Sequence, residues 1–226
     1  MTFDIGFFRK GLAQLYPDQE CYSDDAHQAL VENRIKTLVE LVYKWNRTHN
    51  LTSITEPKEF IVKHLFDSLA LLTFLQHKFS DKELNMLDIG SGAGFPGLPV
   101  AIFCSELQLT SIDANQKKIA FQNTAVRQLD LSNVQTKHAR IEATEGPKQK
   151  IVTARAFSSI LSIIESSAHL LCSSGSWLLM KGAYPTQELE ALESSYVARN
   201  IGNVNVHALE IPFLDAERHL VEISAT

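Results

Sequence analysis

Residues 85–99 read Asn-Met-Leu-Asp-Ile-Gly-Ser-Gly-Ala-Gly-Phe-Pro-Gly-Leu-Pro, and this stretch decides the fold. Its apolar start suits a buried parallel strand. The glycines that follow let the backbone turn sharply and approach a ligand closely. A proline after the turn fits the first turn of a helix, where a missing N–H costs nothing. A strand, a tight turn and a helix N-terminus together predict a site for a nucleotide-type cofactor.

The composition indicates one large domain, or one domain with an appendage, among the 226 residues. The three cysteines Cys21, Cys104 and Cys172 lie far apart without a C-x-x-C pair. This spacing argues against a disulfide framework or a zinc site and favours a reducing compartment. The N-terminus lacks the pattern of a secretion signal, and no apolar stretch is long enough to cross a membrane. We therefore expect a cytoplasmic protein with no metal and no membrane partner.

The charge is distributed unevenly along the chain. The net charge of −5 by itself argues against a nucleic-acid partner. Residues 113–155, however, carry eight Lys and Arg against four Asp and Glu, which gives this segment a charge of +4. Two interpretations stay open, a solvated helix face or a local patch for phosphates.

Residues 1–84 have the pattern of helices. Asp25 to Gln28 resembles a capping box, and apolar residues recur at spacings of three and four across residues 31–45. We therefore predict a helical N-terminal extension over residues 1–84, followed by a cofactor-binding domain over residues 85–226.

A second helix of this extension begins after residue 55. Thr55 can cap it, and Pro57 fits its first turn. The polar residues Lys63, His64, Asp67 and Ser68 interrupt its apolar stripe. They are either a surface pair at helical spacing, or Lys63 and His64 face the cofactor cleft or a bound nucleic acid.

From Asn85 onward the pattern alternates between strands and helices, which predicts an α/β, Rossmann-like fold with a mainly parallel sheet covered on both faces. The last two strands, joined by a short connection, can form an antiparallel edge. The seven predicted strands lie near residues 86–89, 108–112, 134–137, 150–154, 176–181, 204–209 and 220–223, and the helices between them near 98–104, 116–129, 158–171 and 186–195.

Ligands of such a sheet bind outside the carboxyl ends of the strands, so the residues at those ends are the site candidates. Asp113 ends the second strand, 23 residues after Gly90. This is close to the spacing of ~20 for a carboxylate that accepts hydrogen bonds from ribose hydroxyls. The alternative for Asp113 is a helix-capping residue. The other candidates at strand ends are Asp88, Arg140, Ile141, Glu142, Arg155, Lys181 and Gly182.

The glycine pattern favours a cofactor without phosphates. A dinucleotide fingerprint needs Gly-x-Gly-x-x-Gly, but the third glycine position, counted from Gly90, is Phe95. A pyrophosphate is therefore less well provided for. S-adenosylmethionine is such a cofactor, with its adenosine against Phe95 and Ile141, its ribose on Asp113 and its ammonium near residues 88–90.

Residues 87–97, Leu-Asp-Ile-Gly-Ser-Gly-Ala-Gly-Phe-Pro-Gly, resemble the first motif of class I methyltransferases. Their Gly-Phe-Pro-Gly ending is similar to the bacterial 16S ribosomal RNA guanine-N7 methyltransferases, also called the glucose-inhibited division protein B family. Other stretches that match this family span most of the chain: Asn-Leu-Thr-Ser-Ile at 50–54, His-Leu-Phe-Asp-Ser-Leu at 64–69, Ile-Val-Thr-Ala-Arg-Ala-Phe at 151–157, Lys-Gly at 181–182 and Glu-Arg-His-Leu at 217–220.

The resemblance implies a class I methyltransferase fold, with S-adenosyl-L-methionine as the cofactor. The implied reaction is methylation of N7 of a guanine in 16S rRNA, as naked RNA or in a precursor of the small ribosomal subunit. The resemblance implies cofactor contacts at Gly90, Phe95, Ile141, Glu142 and Arg155, and we add Asp113 from its position alone.

Two motifs that other base methylations need are absent. Methylation of an exocyclic amine calls for an Asn/Asp-Pro-Pro-aromatic turn after the fourth strand, where residues 154–157 read Ala-Arg-Ala-Phe. Methylation of a pyrimidine C5 needs a thiolate, and no cysteine ends a predicted strand. Guanine N7 has a lone pair and no proton, so alignment suffices and we predict no catalytic general base. We expect Arg155 on the cofactor carboxylate or on an RNA phosphate.

The RNA-binding candidates are less specific, because each can simply be a solvated charge. The alternatives for function are a methyltransferase of the same fold acting on another RNA, a protein or a small molecule, an NAD-binding oxidoreductase, and a non-catalytic RNA-binding module. The candidates are Lys63, His64, Lys117, Lys118, Arg140 and Lys181.

Overall fold

A computed structural model describes residues 3–17, 22, 24–78 and 84–226. Seven strands form one sheet in the order β3-β2-β1-β4-β5-β7-β6. The first five strands are parallel, and β7 runs antiparallel to both β5 and β6. The strands are β1 Leu84–Ile89, β2 Leu107–Asp113, β3 Val134–His138, β4 Gln149–Arg155, β5 Leu171–Lys181, β6 Ile201–Ala208 and β7 His219–Ala225.

This arrangement confirms the mainly parallel sheet with an antiparallel edge. Chain order reverses between β1 and β4, and such a reversal opens a crevice at the carboxyl ends of the strands. The helices are α1 Ile5–Leu15, α2 Asp25–His49, α3 Pro57–Phe60, α4 Asp67–Lys78, α5 Gly97–Phe103, α6 Gln116–Gln128, α7 Ile160–Ser167 and α8 Thr186–Glu193, with a π-helical segment Ile61–Phe66 between α3 and α4.

Helices cover both faces of the sheet, as the alternation of strand residues requires. Met86 of β1 packs into the hydrophobic core that also contains Phe8 of α1 and Ile35 of α2. The next residue, Leu87, packs on the opposite face with Ile163 of α7. The N-terminal helices therefore share a core with one face of the sheet. In the part of the chain that the structure describes, no helix is long and apolar enough to cross a membrane.

Two predicted helix caps are wrong by one residue each. Asp24, not Asp25, caps α2, and its carboxylate accepts from the His27 N–H. Glu56, not Thr55, caps the helix that begins at Pro57. In both places neighbouring residues carry suitable acceptors, so a sequence pattern cannot choose between them.

Ser174 and Gly175, a pair of residues typical of turns, are instead part of β5, which begins at Leu171. The β4–β5 pairing changes register nearby, between Gln149 and Ile151. A Cβ on Gly175 would lie 2.9 Å from the Lys150 carbonyl oxygen. The glycine therefore permits close backbone approach within a strand rather than a reversal of the chain.

Candidate active site

A first cavity of about 260 Å³ lies at the carboxyl ends of β1 and β2. Four of the six predicted cofactor residues line it: Gly90, Asp113, Ile141 and Glu142. Lys118 and Arg140, which we predicted as RNA contacts, line this same cavity.

The glycine turn forms one wall of the first cavity. Gly90 has φ +62°, a left-handed conformation that favours glycine. A Cβ at this position would lie 2.1 Å from the ring of Phe157, which lines the cavity from the loop after β4. The turn therefore needs glycine for its backbone conformation and for the space above it.

Asp113 presents a carboxylate at the cavity. Its Oδ2 accepts from the Gly92 N–H at 2.9 Å, and its Oδ1 accepts from the Asn115 N–H at 2.7 Å. Asn115, not Asp113, is the N-cap of α6. The ammonium of Lys118 lies 3.9 Å from Oδ2. Each carboxylate oxygen can accept more than one hydrogen bond, so the group is held in place while keeping capacity for hydroxyl donors.

The opposite wall comes from the short 3₁₀ turn Ile141–Ala143 after β3. Ile141 is 3% exposed and belongs to the core that contains Ile89 and Ile112. Glu142 is exposed on the same turn. The wall is thus apolar beneath and carboxylate-bearing at its rim, which suits a flat heterocycle joined to a polar group.

Asp88 is fully buried beneath the turn. Its Oδ2 accepts from the Gly97 N–H at 3.1 Å, while its Oδ1 has no hydrogen-bond partner among the described residues. Burial raises the pKa of this carboxyl to about 7, although the Gly97 hydrogen bond and the charge of Arg155 act in the opposite direction. An unpaired buried carboxylate is costly, so Asp88 carries a proton over much of the pH range in which other aspartates are ionised.

A second cavity of about 540 Å³ adjoins the first at Ala156, which lines both. Ala156 follows the end of β4 and has φ +49°. The polar residues that line this second cavity are Lys63, His64, Asp67, Arg155, Lys181, Glu188 and Arg218.

Arg155 is the centre of a hydrogen-bond network at the second cavity. Its Nη1 donates to Asp67 Oδ2 at 2.8 Å and to the Lys63 carbonyl oxygen at 3.1 Å. The other carboxylate oxygen of Asp67 accepts from Arg218 Nε at 2.9 Å. Asp67 thus joins two guanidinium groups that come from β4 and from the segment before β7.

His64 is held by the same network, with Arg155 Nη2 lying 3.1 Å from its Nδ1. A guanidinium can only donate, so Nδ1 accepts and the proton is on Nε2, which faces Thr52 Oγ1 at 2.7 Å. Burial and the nearby Arg155 charge lower the pKa of His64 to about 3. His64 is therefore neutral at physiological pH, and it is half-buried rather than part of a surface pair.

Phe95 is buried and lines neither of these two cavities. Its ring stacks on His64, with the ring centroids 4.9 Å apart and an interplanar angle of 17°. The guanidinium carbon of Arg155 lies 5.6 Å from the Phe95 centroid. The structure therefore places Phe95 and Arg155 beside the second cavity. The family resemblance implies a cofactor contact for Phe95, and for Arg155 we expect the cofactor carboxylate or an RNA phosphate, so these contacts stay predictions.

Thr52 connects the loop after α2 to this network. Asn46 Nδ2 donates to the Thr52 carbonyl oxygen, and the Thr52 N–H donates to Asn46 Oδ1, both at 2.9 Å. Sequence analysis did not predict Thr52, Asp67 or Arg218 as site residues. The family resemblance could have indicated them, because each residue lies in a stretch that matches the methyltransferase family.

The six RNA-binding candidates separate into three groups. Lys63, His64 and Lys181 line the second cavity, where Lys181 Nζ donates to Glu188 at 2.7 Å. Lys118 and Arg140 line the first cavity, as described above, and Lys117 is exposed on α6 outside both cavities.

Among the described residues, no group of three or more His, Cys, Asp or Glu could hold a metal ion. Cys104 and Cys172 are free thiols, and Cys21 lies outside the described residues.

Comparison with known sequences decides the family. The GidB family, described as rRNA small subunit methyltransferase G, matches residues 31–221. The chain belongs to this family. The resemblance inferred from the motifs is therefore confirmed. A ribosomal RNA small subunit methyltransferase G of Neisseria gonorrhoeae (strain NCCP11945) is 38% identical over 216 residues, which cover 96% of both chains. The same-named protein of Coxiella burnetii (strain RSA 493 / Nine Mile phase I) is 41% identical over 194 residues, covering 85% of this chain and 88% of the relative.

Comparison with solved structures confirms the fold class of this GidB-family chain. A SAM-dependent methyltransferase from Aquifex aeolicus aligns with a TM-score of 0.56 at 15% identity, covering 77% of this chain and 96% of that one. The tRNA (m1A58) methyltransferase TrmI from Aquifex aeolicus aligns with a TM-score of 0.54 at 16% identity, covering 77% and 72%. At this identity the likeness concerns the Rossmann-like class I methyltransferase fold alone.

Proposed function

We propose that this chain is an S-adenosylmethionine-dependent methyltransferase that methylates N7 of a guanine in 16S rRNA, as naked RNA or in a precursor of the small subunit. The observation that carries the proposal is the pair of cavities that meet at Ala156, at the carboxyl ends of β1, β2, β4 and β5. One cavity has the features of an adenosine site, and the other has room for a base. Membership of the GidB family supports the rRNA substrate.

The residues of the first cavity fit S-adenosylmethionine, which supplies an electrophilic methyl group when bound. Ile141 would pack against the adenine, and Asp113 would accept hydrogen bonds from the ribose hydroxyls. Gly90 leaves the backbone open toward the methionine part, and Glu142 lies at the rim. The ammonium group would lie near the turn of residues 88–90, with the buried Asp88 beneath the surface of the cavity.

The second cavity would hold the target guanine. Its N7 carries a lone pair and no proton, so the protein has to align the base and tolerate the positive charge that develops on it. Asp67 pairs with both Arg155 and Arg218 and offsets one of their two positive charges, while Glu188 offsets the charge of Lys181. A base that becomes cationic therefore meets paired rather than isolated cations.

No side chain of the network is available as a general base. His64 Nδ1 faces Arg155, and the ring nitrogen on the other side faces Thr52. We therefore assign His64 and Arg155 to positioning, consistent with a reaction in which no proton is removed before methyl transfer. Under this proposal the helical extension of residues 1–84 supplies one wall of the acceptor site to the methyltransferase domain of residues 85–226, and the enzyme acts in the cytoplasm.

Methyl transfer from labelled S-adenosylmethionine to unmethylated small-subunit RNA tests this function, with the modified guanine mapped by chain cleavage. Naked 16S rRNA and assembling small-subunit particles are offered in parallel, so that the preferred form of the substrate is identified. We expect label at N7 of one guanine. Label in protein, in another RNA or at another base atom would contradict the proposal. Titration calorimetry with S-adenosylhomocysteine and with NAD tests the cofactor, and binding of NAD alone would also contradict it.

A further inference from the structure

An aromatic platform lies next to the second cavity, formed by Phe7 of α1 and Phe213 of the connection between β6 and β7. The two ring centroids are 4.6 Å apart, with an interplanar angle of 30°. The rings line a groove of about 400 Å³ together with Lys58 and Lys63. Lys63 also lines the second cavity, so the groove continues from the proposed acceptor site.

Phe213 combines a left-handed backbone with a partly exposed side chain. Its φ of +63° is left-handed, which is unusual for a bulky L-residue. Its side chain is nevertheless 43% exposed, so much of its apolar surface remains in water. A strained and exposed aromatic residue points to a role in binding rather than in the core.

Lysines surround the two rings. Lys10 Nζ lies 5.9 Å from the Phe213 centroid, and Lys58 Nζ lies 5.4 Å from the Phe7 centroid. The acidic side chains that line the groove are Glu59 and Asp215, and Glu59 is paired with Lys63. Lys10 and Lys58 are exposed, with their charged ends beside an aromatic surface.

We propose that the aromatic platform binds the single-stranded RNA that flanks the target guanine, with a base stacked on Phe213 and phosphates on Lys10 and Lys58. Aromatic rings beside cations are the combination by which proteins hold unpaired nucleotides. The inference rests on the proposed function, because that function supplies the RNA. The continuity of the groove through Lys63 makes the bound nucleotides neighbours of the target.

Phe213→Gly is the decisive variant, because it removes the ring and also relieves the left-handed backbone. We expect its thermal stability to change little, because relief of the left-handed backbone offsets the lost ring contacts with Phe7 and Phe66. We also expect its Kd for a fluorescent single-stranded oligoribonucleotide, measured by anisotropy, to rise roughly ten-fold, as for the loss of one stacked base. Phe213→Tyr keeps a ring and should restore native affinity. Tyr196→Ala is the control, since Tyr196 is 70% exposed outside the platform.

Lys58→Ala gives an independent test that does not depend on the strained residue. Removal of one phosphate contact should reduce the slope of log affinity against log salt by about 0.7 for single-stranded RNA. In methyl-transfer assays we expect both variants to raise KM for RNA, with the affinity for S-adenosylhomocysteine unchanged.

Unchanged oligoribonucleotide affinity in both variants would refute RNA binding by the aromatic platform, even if the native chain methylates small-subunit RNA. A defect seen only with protein-containing particles would also overturn it, because a ribosomal protein would then be the occupant. The anisotropy measurement needs no catalysis. Failure of the native chain to methylate small-subunit RNA would therefore refute the proposed function separately.

Discussion

Replacement of Asp88 by asparagine tests the electrostatics beneath the glycine turn. The Asp88 carboxyl is fully buried, and burial raises its pKa from 3.8 to about 7. Asparagine retains an oxygen that can accept from the Gly97 N–H but carries no charge at any pH. The variant therefore removes the titration while it preserves the shape of the side chain.

Asp88 has a higher pKa in the folded protein than in the unfolded chain, and this order sets the sign of the pH dependence of stability. The folded protein keeps a proton on Asp88 that the unfolded chain releases between about pH 4 and pH 7, so ionisation favours the unfolded state in this window. The stabilising contribution is complete below the unfolded pKa and is lost as pH rises through the folded pKa. A difference of roughly three between the two pKa values corresponds to about 4 kcal/mol.

Urea unfolding of both proteins across this pH range measures the effect. The free energy of unfolding of Asp88→Asn minus that of the native chain is expected to rise by about 1.4 kcal/mol per pH unit and to level off above about pH 7. Asp130→Asn, at an exposed residue, is the matched control. A difference that stays constant across the range would mean that Asp88 is ionised throughout, which would refute the reasoning.

Three further substitutions test the site. Asp113→Ala should weaken S-adenosylhomocysteine binding by about 1.5–3 kcal/mol in calorimetry, the loss expected for a charged acceptor; unchanged affinity would mean that its oxygens serve only the backbone. Gly90→Ala should lose about 1–3 kcal/mol of stability and also cofactor affinity, because its φ is +62°. Gly182→Ala is the control, since a Cβ there meets nothing within 4 Å. Asn46→Ala removes both hydrogen bonds to Thr52 and should lower the free energy of unfolding by about 1–3 kcal/mol in urea titrations. Native-like stability would mean that these two hydrogen bonds do not hold the loop after α2 in place.

The glycine turn was predictable because its residue types are dictated locally. A left-handed backbone at Gly90 and an apolar strand before it leave a strong pattern in the sequence. The position of Asp113 followed from the fixed length of a turn, a helix and a strand. Local chemistry and regular geometry therefore predicted the first cavity.

The second cavity was not predictable in the same way, because its contacts join distant parts of the chain. Asp67 and Arg218 are 151 residues apart and meet only through the tertiary fold. The π-helical segment Ile61–Phe66 places His64 and Lys63 at the site, and helical periodicity of 3.6 gives no sign of such a segment. The packing of Phe95 on His64 was not predictable either, since a ring at a turn can pack on either side, and its cofactor contact stays a prediction.

The hydrogen bonds of Asp67 also bear on the order of events during synthesis. Arg218 lies late in the chain, in the connection between β6 and β7, and it completes the pairing that Arg155 begins. A nascent chain that has left the ribosome only as far as β5 contains the glycine turn and Asp113 but lacks this last guanidinium. The residues that line the first cavity therefore all leave the ribosome before the residue that completes the Asp67 pairing at the second cavity.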